Sequence, residues 1–235
     1  NLFGIMQGRL LPKYKGRYQA HPKGYWQNEF VLAQKLSLQC IEFIFDYEDF
    51  SENPLITKEG ISSIQKIVTD TGVDVVSVCA DYFMEKKLFS TNNIESNESK
   101  NILLRLLGHV KILGVKNIVM PCVDQSALDN DEKIERIVKI LRPIMSNFEN
   151  ADVNLSLETD LHPRQFVKLL NNINSNKIKV NYDLGNSASK GFLVKEELNC
   201  YGSFISDVHI KDRKLNSGST VLGTGDVNFD EFFSE

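Results

Sequence analysis

No two of the four cysteines form a C-x-x-C pair. Cys40, Cys79, Cys122 and Cys200 have the wrong spacing for a zinc site of their own. Three of them fall within or beside apolar runs, the pattern of buried free thiols in a reducing compartment. A cytoplasmic protein is the expectation that follows. No apolar run approaches the ~20 residues needed to span a bilayer, so no membrane partner is expected. The opening Asn1-Leu2-Phe3-Gly4-Ile5 is too short for a signal peptide and lacks a basic leader. Asn1 is an odd first residue, and the expectation is that the chain starts after a missing initiator segment. Basic excess is also absent. With 27 Lys and Arg against 31 Asp and Glu, the net charge is −4, and nothing supports a sequence-independent grip on nucleic acid.

What is present is an ordinary globular composition, 42% hydrophobic and 25% charged over 235 residues. That length suits one barrel-sized domain or two small ones. Short apolar runs rich in Val and Ile recur at 2–6, 40–45, 73–79, 115–120, 153–157, 178–182 and 204–210. Pro121 is expected to stop the fourth. Between them the periodicity predicts helices over 28–38, 55–71, 96–113, 131–148, 163–173 and 195–201, with another opening at 229–233. Asn130 suits an N-cap, Pro143 a kink, Gly72 a C-terminal stop, and 185–189 reads as a turn.

Seven alternating strand–helix units with no domain break imply an α/β fold with a parallel sheet. Near-continuous apolar strands imply that both faces are covered. The expected architecture is a (β/α)8 TIM barrel, one domain over 1–235, with its eighth strand–helix unit missing from this chain; that unit needs about 30 more residues. The alternative is an open seven-unit sheet, which leaves an exposed edge.

In a barrel the chemistry lies at the C-terminal ends of the strands. Polar residues stand there repeatedly: Gln7 and Arg9, Asp46, Asp81, Glu158, Asp183 and His209. Asp46 and Asp81 are as well explained as helix caps. Glu158, Asp183 and His209 are separated by steps of 25 and 26 residues, about one βαβ repeat. Equivalent positions on successive parallel strands would aim all three at one point. Two carboxylates and an imidazole favour a hard divalent ion, Mn²⁺ or Mg²⁺, over a structural Zn²⁺.

Several segments carry a family resemblance: Leu157-Glu158-Thr159-Asp160, Asn181-Tyr182-Asp183-Leu184-Gly185-Asn186, Val208-His209-Ile210-Lys211-Asp212-Arg213 and Leu222-Gly223-Thr224-Gly225-Asp226. In this order and spacing they resemble the xylose isomerase-like barrel superfamily, and more closely its sugar isomerase/epimerase branch. Gly4-Ile5-Met6-Gln7-Gly8-Arg9 and Ile41-Glu42-Phe43-Ile44-Phe45-Asp46 look like the first two strands of that branch. The resemblance implies one divalent metal ion held by Glu158, Asp183 and His209, with Co²⁺ or Zn²⁺ as alternatives to Mn²⁺ or Mg²⁺. A fourth ligand belongs to the eighth strand. It further implies a sugar or sugar-phosphate isomerase or epimerase, moving a proton through a metal-stabilised enediolate with Glu158 as base. The alternatives are a lyase or dehydratase acting on a keto-acid or keto-inositol at the same metal site, and a non-catalytic sugar-binding barrel. A homo-oligomer is the further expectation from resemblance.

The substrate-binding candidates are Asn186, Arg213, Arg164, Gln7, Arg9 and Asp81. Asn186 stands where some related epimerases carry a substrate-binding His. Arg213 suits a substrate oxygen or phosphate, and equally a solvated loop, as does Arg164. Lys211 or Asp212 could orient the site. Glu42 could face either the barrel interior or substrate. His21, His109 and His162 read as structural or solvated. So small a histidine complement does not fit the histidine-rich, DNA-acting endonuclease IV branch. Gly223-Thr224-Gly225 resembles a phosphate-cradling turn. Tyr14, Tyr18, Tyr25 and Trp26 could lid a sugar or simply pack onto the barrel.

Overall fold

The computed structural model describes residues 2–234; Asn1 and Glu235, the ends of the expected domain, lie outside the described residues. Seven parallel strands pair in sequence order into a curled half-barrel. They are β1 (Gly4–Met6), β2 (Cys40–Ile44), β3 (Asp74–Cys79), β4 (Asn117–Cys122), β5 (Asn154–Thr159), β6 (Ile178–Asp183) and β7 (Ile205–His209). The α-helices in chain order are α1 (Gln27–Lys35), α2 (Lys58–Thr71), α3 (Tyr82–Glu85), α4 (Asn93–Val110), α5 (Asp131–Leu141), α6 (Met145–Ala151), α7 (Pro163–Ile173), α8 (Leu184–Lys190), α9 (Val194–Tyr201) and α10 (Phe229–Ser234). After β7 a small antiparallel hairpin forms from β8 (Asp212–Arg213) and β9 (Ser219–Thr220). Among the described residues the architecture is that of a TIM barrel, seven of its strand–helix units being present.

Strand alternation divides the sheet into two unlike faces. Ile41, Phe43 and Phe45 point outward into one large apolar cluster with Phe30, Ile61, Val78 and Ile118. Ile44, Cys79 and Val119 form a separate small cluster, with Met6 against it. Buried polar residues occupy other positions of this alternate register: Glu42, Ser77, Asn117, Ser156 and Asn181. Several of them pair across strands, while Asn181 Oδ1 has no protein partner among the described residues. Ser77 Oγ donates to Glu42 at 2.7 Å, Asn154 Nδ2 donates to Asn117 Oδ1 at 3.0 Å, and the Ser156 and Ser206 hydroxyls lie 2.9 Å apart. Burying a Leu or Phe side chain stabilises by roughly 1.5–3 kcal/mol, against about 1 for a net hydrogen bond. Stability therefore comes from the helix-facing side, and the inner side can carry chemistry.

Three expectations are corrected. Pro121 does not stop the fourth strand, which runs on to Cys122 with Pro121 opposite Glu158. Residues two apart present their backbone groups to the same neighbour, and Val119 C=O accepts from Ala80 N–H at 2.8 Å. The donor that Pro121 lacks would therefore point past the end of β3, where no ladder remains. The expected turn at 185–189 is α8, opened by the Asp183 side chain accepting from Asn186 N–H and closed by Gly191 at φ 72°. The helix expected over 55–71 begins only at Lys58, because the Thr57 side chain caps it by accepting from Gly60 N–H; residues 54–56 form a separate 3-10 turn. Pro143 does break its helix, into α5, a 3-10 turn at 142–144, and α6.

Candidate metal centre

Glu158, Asp183 and His209 come together at one end of the half-barrel. One ligand atom from each lies within 4.8 Å of the others. The backbone explains why. Asp183 and His209 are direct partners in the β6–β7 pairing, and Glu158 lies in β5, the strand on the other side of β6. His209 Nδ1 stands 3.7 Å from Glu158 Oε2 and 4.0 Å from Asp183 Oδ2. Asp183 combines two tasks. Its Oδ1 caps α8 by accepting from Asn186 N–H at 2.8 Å, which leaves Oδ2 for the cluster. Capping and ligation are thus compatible in one carboxylate.

Two amides fix the plane of the Glu158 carboxylate. Asn181 Nδ2 donates to Oε2 at 2.9 Å and Asn186 Nδ2 to Oε1 at 2.5 Å. Asn186 Oδ1 in turn accepts from Lys211 Nζ at 3.1 Å and Arg213 Nη1 at 2.7 Å. Lys211 also reaches Asp183 Oδ2 at 3.3 Å. Its stem lies against Gly185, where an added Cβ would come within 2.9 Å of Lys211 Cγ.

The field of this pocket is strongly negative. Burial, reinforced by the Asp183 charge, pushes the Glu158 carboxyl up to about 7. Burial alone would depress His209, but the charges of Glu42, Glu158 and Asp183 outweigh it and hold the ring at about 10. Carboxylates crowded around one imidazole favour positive charge at their centre. Bonds of ~2.1 Å to one ion hold three ligand atoms roughly 3.0–3.6 Å apart, which the 3.7 and 4.0 Å separations from His209 Nδ1 approach to within about 1 Å. The donor set and its spacing fit one divalent cation.

The other candidates fall into three groups. Arg213 and Asn186 border the cluster and share a cavity of about 210 Å³ with Asp124, Asp160, Lys190 and Asn216. Gln7, Arg9 and Asp81 belong to a neighbouring polar group on the β1–β3 side. Arg9 Nη2 donates to Gln19 Oε1 at 3.3 Å, and Gln19 Nε2 to Asp81 Oδ2 at 3.1 Å. Gln7 Oε1 accepts from Ile44 N–H at 3.0 Å, and its buried Nε2 has no protein partner among the described residues. Neither Asp46 nor Asp81 caps a helix with its side chain: Asp46 accepts from His21 N–H and Arg17, and the residue after Asp81 opens α3 without a side-chain cap. Arg164 stands apart from both groups, its side chain 82% exposed beside Glu196.

The loop after β7 is occupied by the protein itself. The Asp212 carboxylate accepts from the backbone N–H groups of Gly223 (2.9 Å), Gly225 (2.8 Å) and Val227 (3.3 Å). A carboxylate sits where the G-x-G motif suggested a phosphate. Gly225 is required by this approach, since a Cβ there would lie 2.1 Å from Asp212 Oδ1. In the first loop, Trp26 packs in the core against Phe30 and Phe43 rather than over the mouth, and Tyr14 OH donates to Asp49 at 3.0 Å.

Sequence reasoning placed Glu42 on its strand but not its partner. Glu42 Oε1 accepts from His209 Nε2 at 2.9 Å. The signal was a single acid inside an apolar strand, which burial permits only with a partner. His21 is structural. It is buried against Phe43 and Trp26, with Nδ1 3.2 Å from Gln7 Oε1. Burial lowers its pKa to about 4, with the field of Asp49 opposing. An unfolded His titrates near 6.5, so between pH 6.5 and 4 the unfolded chain takes up a proton that the folded one refuses. Stability falls as pH falls through that window, by about 2 kcal/mol between pH 7 and pH 5. Urea unfolding of wild type and His21→Gln at both pH values should show that part of the acid loss only in wild type. Identical pH dependence would refute it.

No curated protein matches the chain. Solved structures do match its fold. The IolI protein with a bound zinc atom superposes at TM-score 0.76, with 15% identity over 100% of this chain and 84% of that one. A D-psicose 3-epimerase solved in the presence of D-fructose gives TM-score 0.72, with 17% identity over 89% of this chain and 74% of the other. A xylose isomerase-like TIM barrel protein from Mycobacterium smegmatis in complex with magnesium gives TM-score 0.70, with 15% identity over 99% and 84%. A family model for the xylose isomerase-like TIM barrel matches residues 30–235, and the chain belongs to that family.

Proposed function

We propose that the protein is a divalent-metal-dependent sugar isomerase or epimerase. The observation that carries this reading is the convergence of Glu158 Oε2, Asp183 Oδ2 and His209 Nδ1 on one buried, negatively charged point. These three residues would hold the ion. When bound, a divalent cation there supplies Lewis-acid polarisation of a ketose carbonyl and its neighbouring hydroxyl.

The chain's own residues provide the rest. Glu158 removes the carbon-bound proton next to the carbonyl, its carboxylate held in one plane by Asn181 and Asn186. Asn186 cannot serve as an acid near neutral pH, so its part is to orient. Lys211 and Arg213, drawn to the mouth by Asn186 Oδ1, place donors where substrate oxygens would lie. The adjoining cavity is lined by side chains of both charges and by amides, which suits a polyhydroxylated ligand. Fold neighbours named as D-psicose 3-epimerase, L-ribulose 3-epimerase and 3-keto-D-glucoside 4-epimerase support the sugar class.

The test is to incubate the Mn²⁺-loaded protein with a panel of ketoses and ketose phosphates in D₂O. The expected result is an isomer of the substrate, heavier only by the deuterium it carries at the carbon beside the carbonyl. A lighter product would mean dehydration. Metal binding without exchange on any member of the panel would favour a binding barrel.

A further inference from the structure

We propose that Glu42 is a positioning residue for the metal centre. It accepts from His209 Nε2 and thereby fixes the tautomer and ring orientation that aim Nδ1 at the ion. This rests on the metal-centre reading above, and concerns a residue outside the ligand set.

The hydrogen-bond chemistry fixes the direction of the relay. Asn181 offers the same atom, Nδ2, to Glu158 Oε2 at 2.9 Å and to His209 Nδ1 at 3.0 Å. Toward a carboxylate that atom must be the donor, so in the neutral ring Nδ1 is the acceptor. The ring proton then lies on Nε2, 2.9 Å from Glu42 Oε1. The other Glu42 oxygen is taken by Ser77 Oγ at 2.7 Å, so the carboxylate cannot rotate away. Glu42 is 8% exposed, and the contact crosses the barrel interior from β2 to β7.

The backbone supplies a second, independent observation. The seven-stranded sheet has two register shifts among the described residues. One lies between Ile41 and Glu42 in the β2–β3 pairing, the other between Val180 and Asn181 in the β6–β7 pairing. The first sets Glu42 opposite Ser77 instead of Val76, whose side chain would point to the other face. The second sets Asn181 opposite Asp207 and so brings Asp183 level with His209. An extra residue in one strand re-aims the side chains that follow it. Both irregularities fall where they align the members of this relay.

A hydrogen bond from a ligating His to a carboxylate sets the ring and raises its basicity, and its loss typically costs 10–100-fold in metal affinity. Calorimetric titration with Mn²⁺ should show Glu42→Ala binding about 10–100-fold more weakly than wild type, with Glu42→Gln intermediate. Gln matches the shape of Glu, and comparing the metal-free melting curves of the two variants guards against misfolding. A second readout is the ¹⁵N spectrum of the Zn²⁺-loaded protein. Wild type should show His209 with a slowly exchanging Nε2–H, and Glu42→Gln a faster-exchanging one. Metal binding by wild type with unchanged affinity in both variants would overturn the role of Glu42 alone. Failure of wild type to bind any divalent ion would overturn the metal centre and this inference together.

Discussion

Glu158→Gln, assayed at saturating Mn²⁺, is expected to lose solvent-deuterium exchange into substrate by about 10²–10⁴-fold, the usual contribution of a positioned general base. The substitution keeps the shape of the side chain but removes the lone pair that accepts the proton. It also replaces one acceptor with an amide N–H₂ facing Asn181 or Asn186, both of which now donate to the carboxylate. One of those contacts becomes donor against donor, so metal affinity should fall as well. Saturation with metal separates the two effects: occupancy is restored while exchange stays low. Exchange within tenfold of wild type at full occupancy would remove Glu158 from the role of base. His209→Ala offers the contrast, since its defect should lie mainly in occupancy.

The second large effect is on stability. Glu197→Ala is expected to destabilise by about 3 kcal/mol and to lower Tm by about 6–12 °C for a chain of this size. Glu197 is buried on α9 and accepts from Tyr182 OH (2.6 Å), Tyr201 OH (2.6 Å) and, on α8, Ser187 Oγ (2.7 Å). Burial pushes the Glu197 carboxyl up while the three hydroxyls oppose that shift, and burial together with the Glu197 charge raises both phenols, keeping them protonated as donors. Truncation leaves buried hydroxyls without an acceptor, which is worse than never having had the network. Ser187 directly follows Asn186, so the same change loosens the helix that holds Glu158 in plane. Differential scanning calorimetry on the metal-free protein checks it. A Tm within about 2 °C of wild type would show that the network carries little stability.

Much of the site was legible because a barrel repeats. Near-equal spacing of Glu158, Asp183 and His209 along the chain becomes neighbourhood in space once each repeat contributes one strand to a parallel sheet. Periodicity likewise located the apolar strands, because helices covering the outer face require Ile41, Phe43, Val78 and Ile118 whatever lies inside. The inner positions were also present in the sequence, as polar residues within or beside apolar runs at Glu42, Ser77, Asn117, Ser156 and Asn181. Their common direction shows only when the strands are aligned, because a polar residue in one short strand has no stated face.

What the sequence determined by itself is therefore the repeating α/β order, the helix-facing core and the three residues that converge. Local pattern and regular spacing are enough for these. Only the tertiary structure decided which groups answer one another across the barrel. Glu42 meets His209 from 167 residues away, and Asp212 takes the backbone donors of Gly223 and Gly225 that a phosphate could have used. Arg164 turns out to solvent while Arg213 turns in. Each outcome depends on strand register and loop closure, which set side-chain direction to within one residue, and a one-residue slip reverses the face.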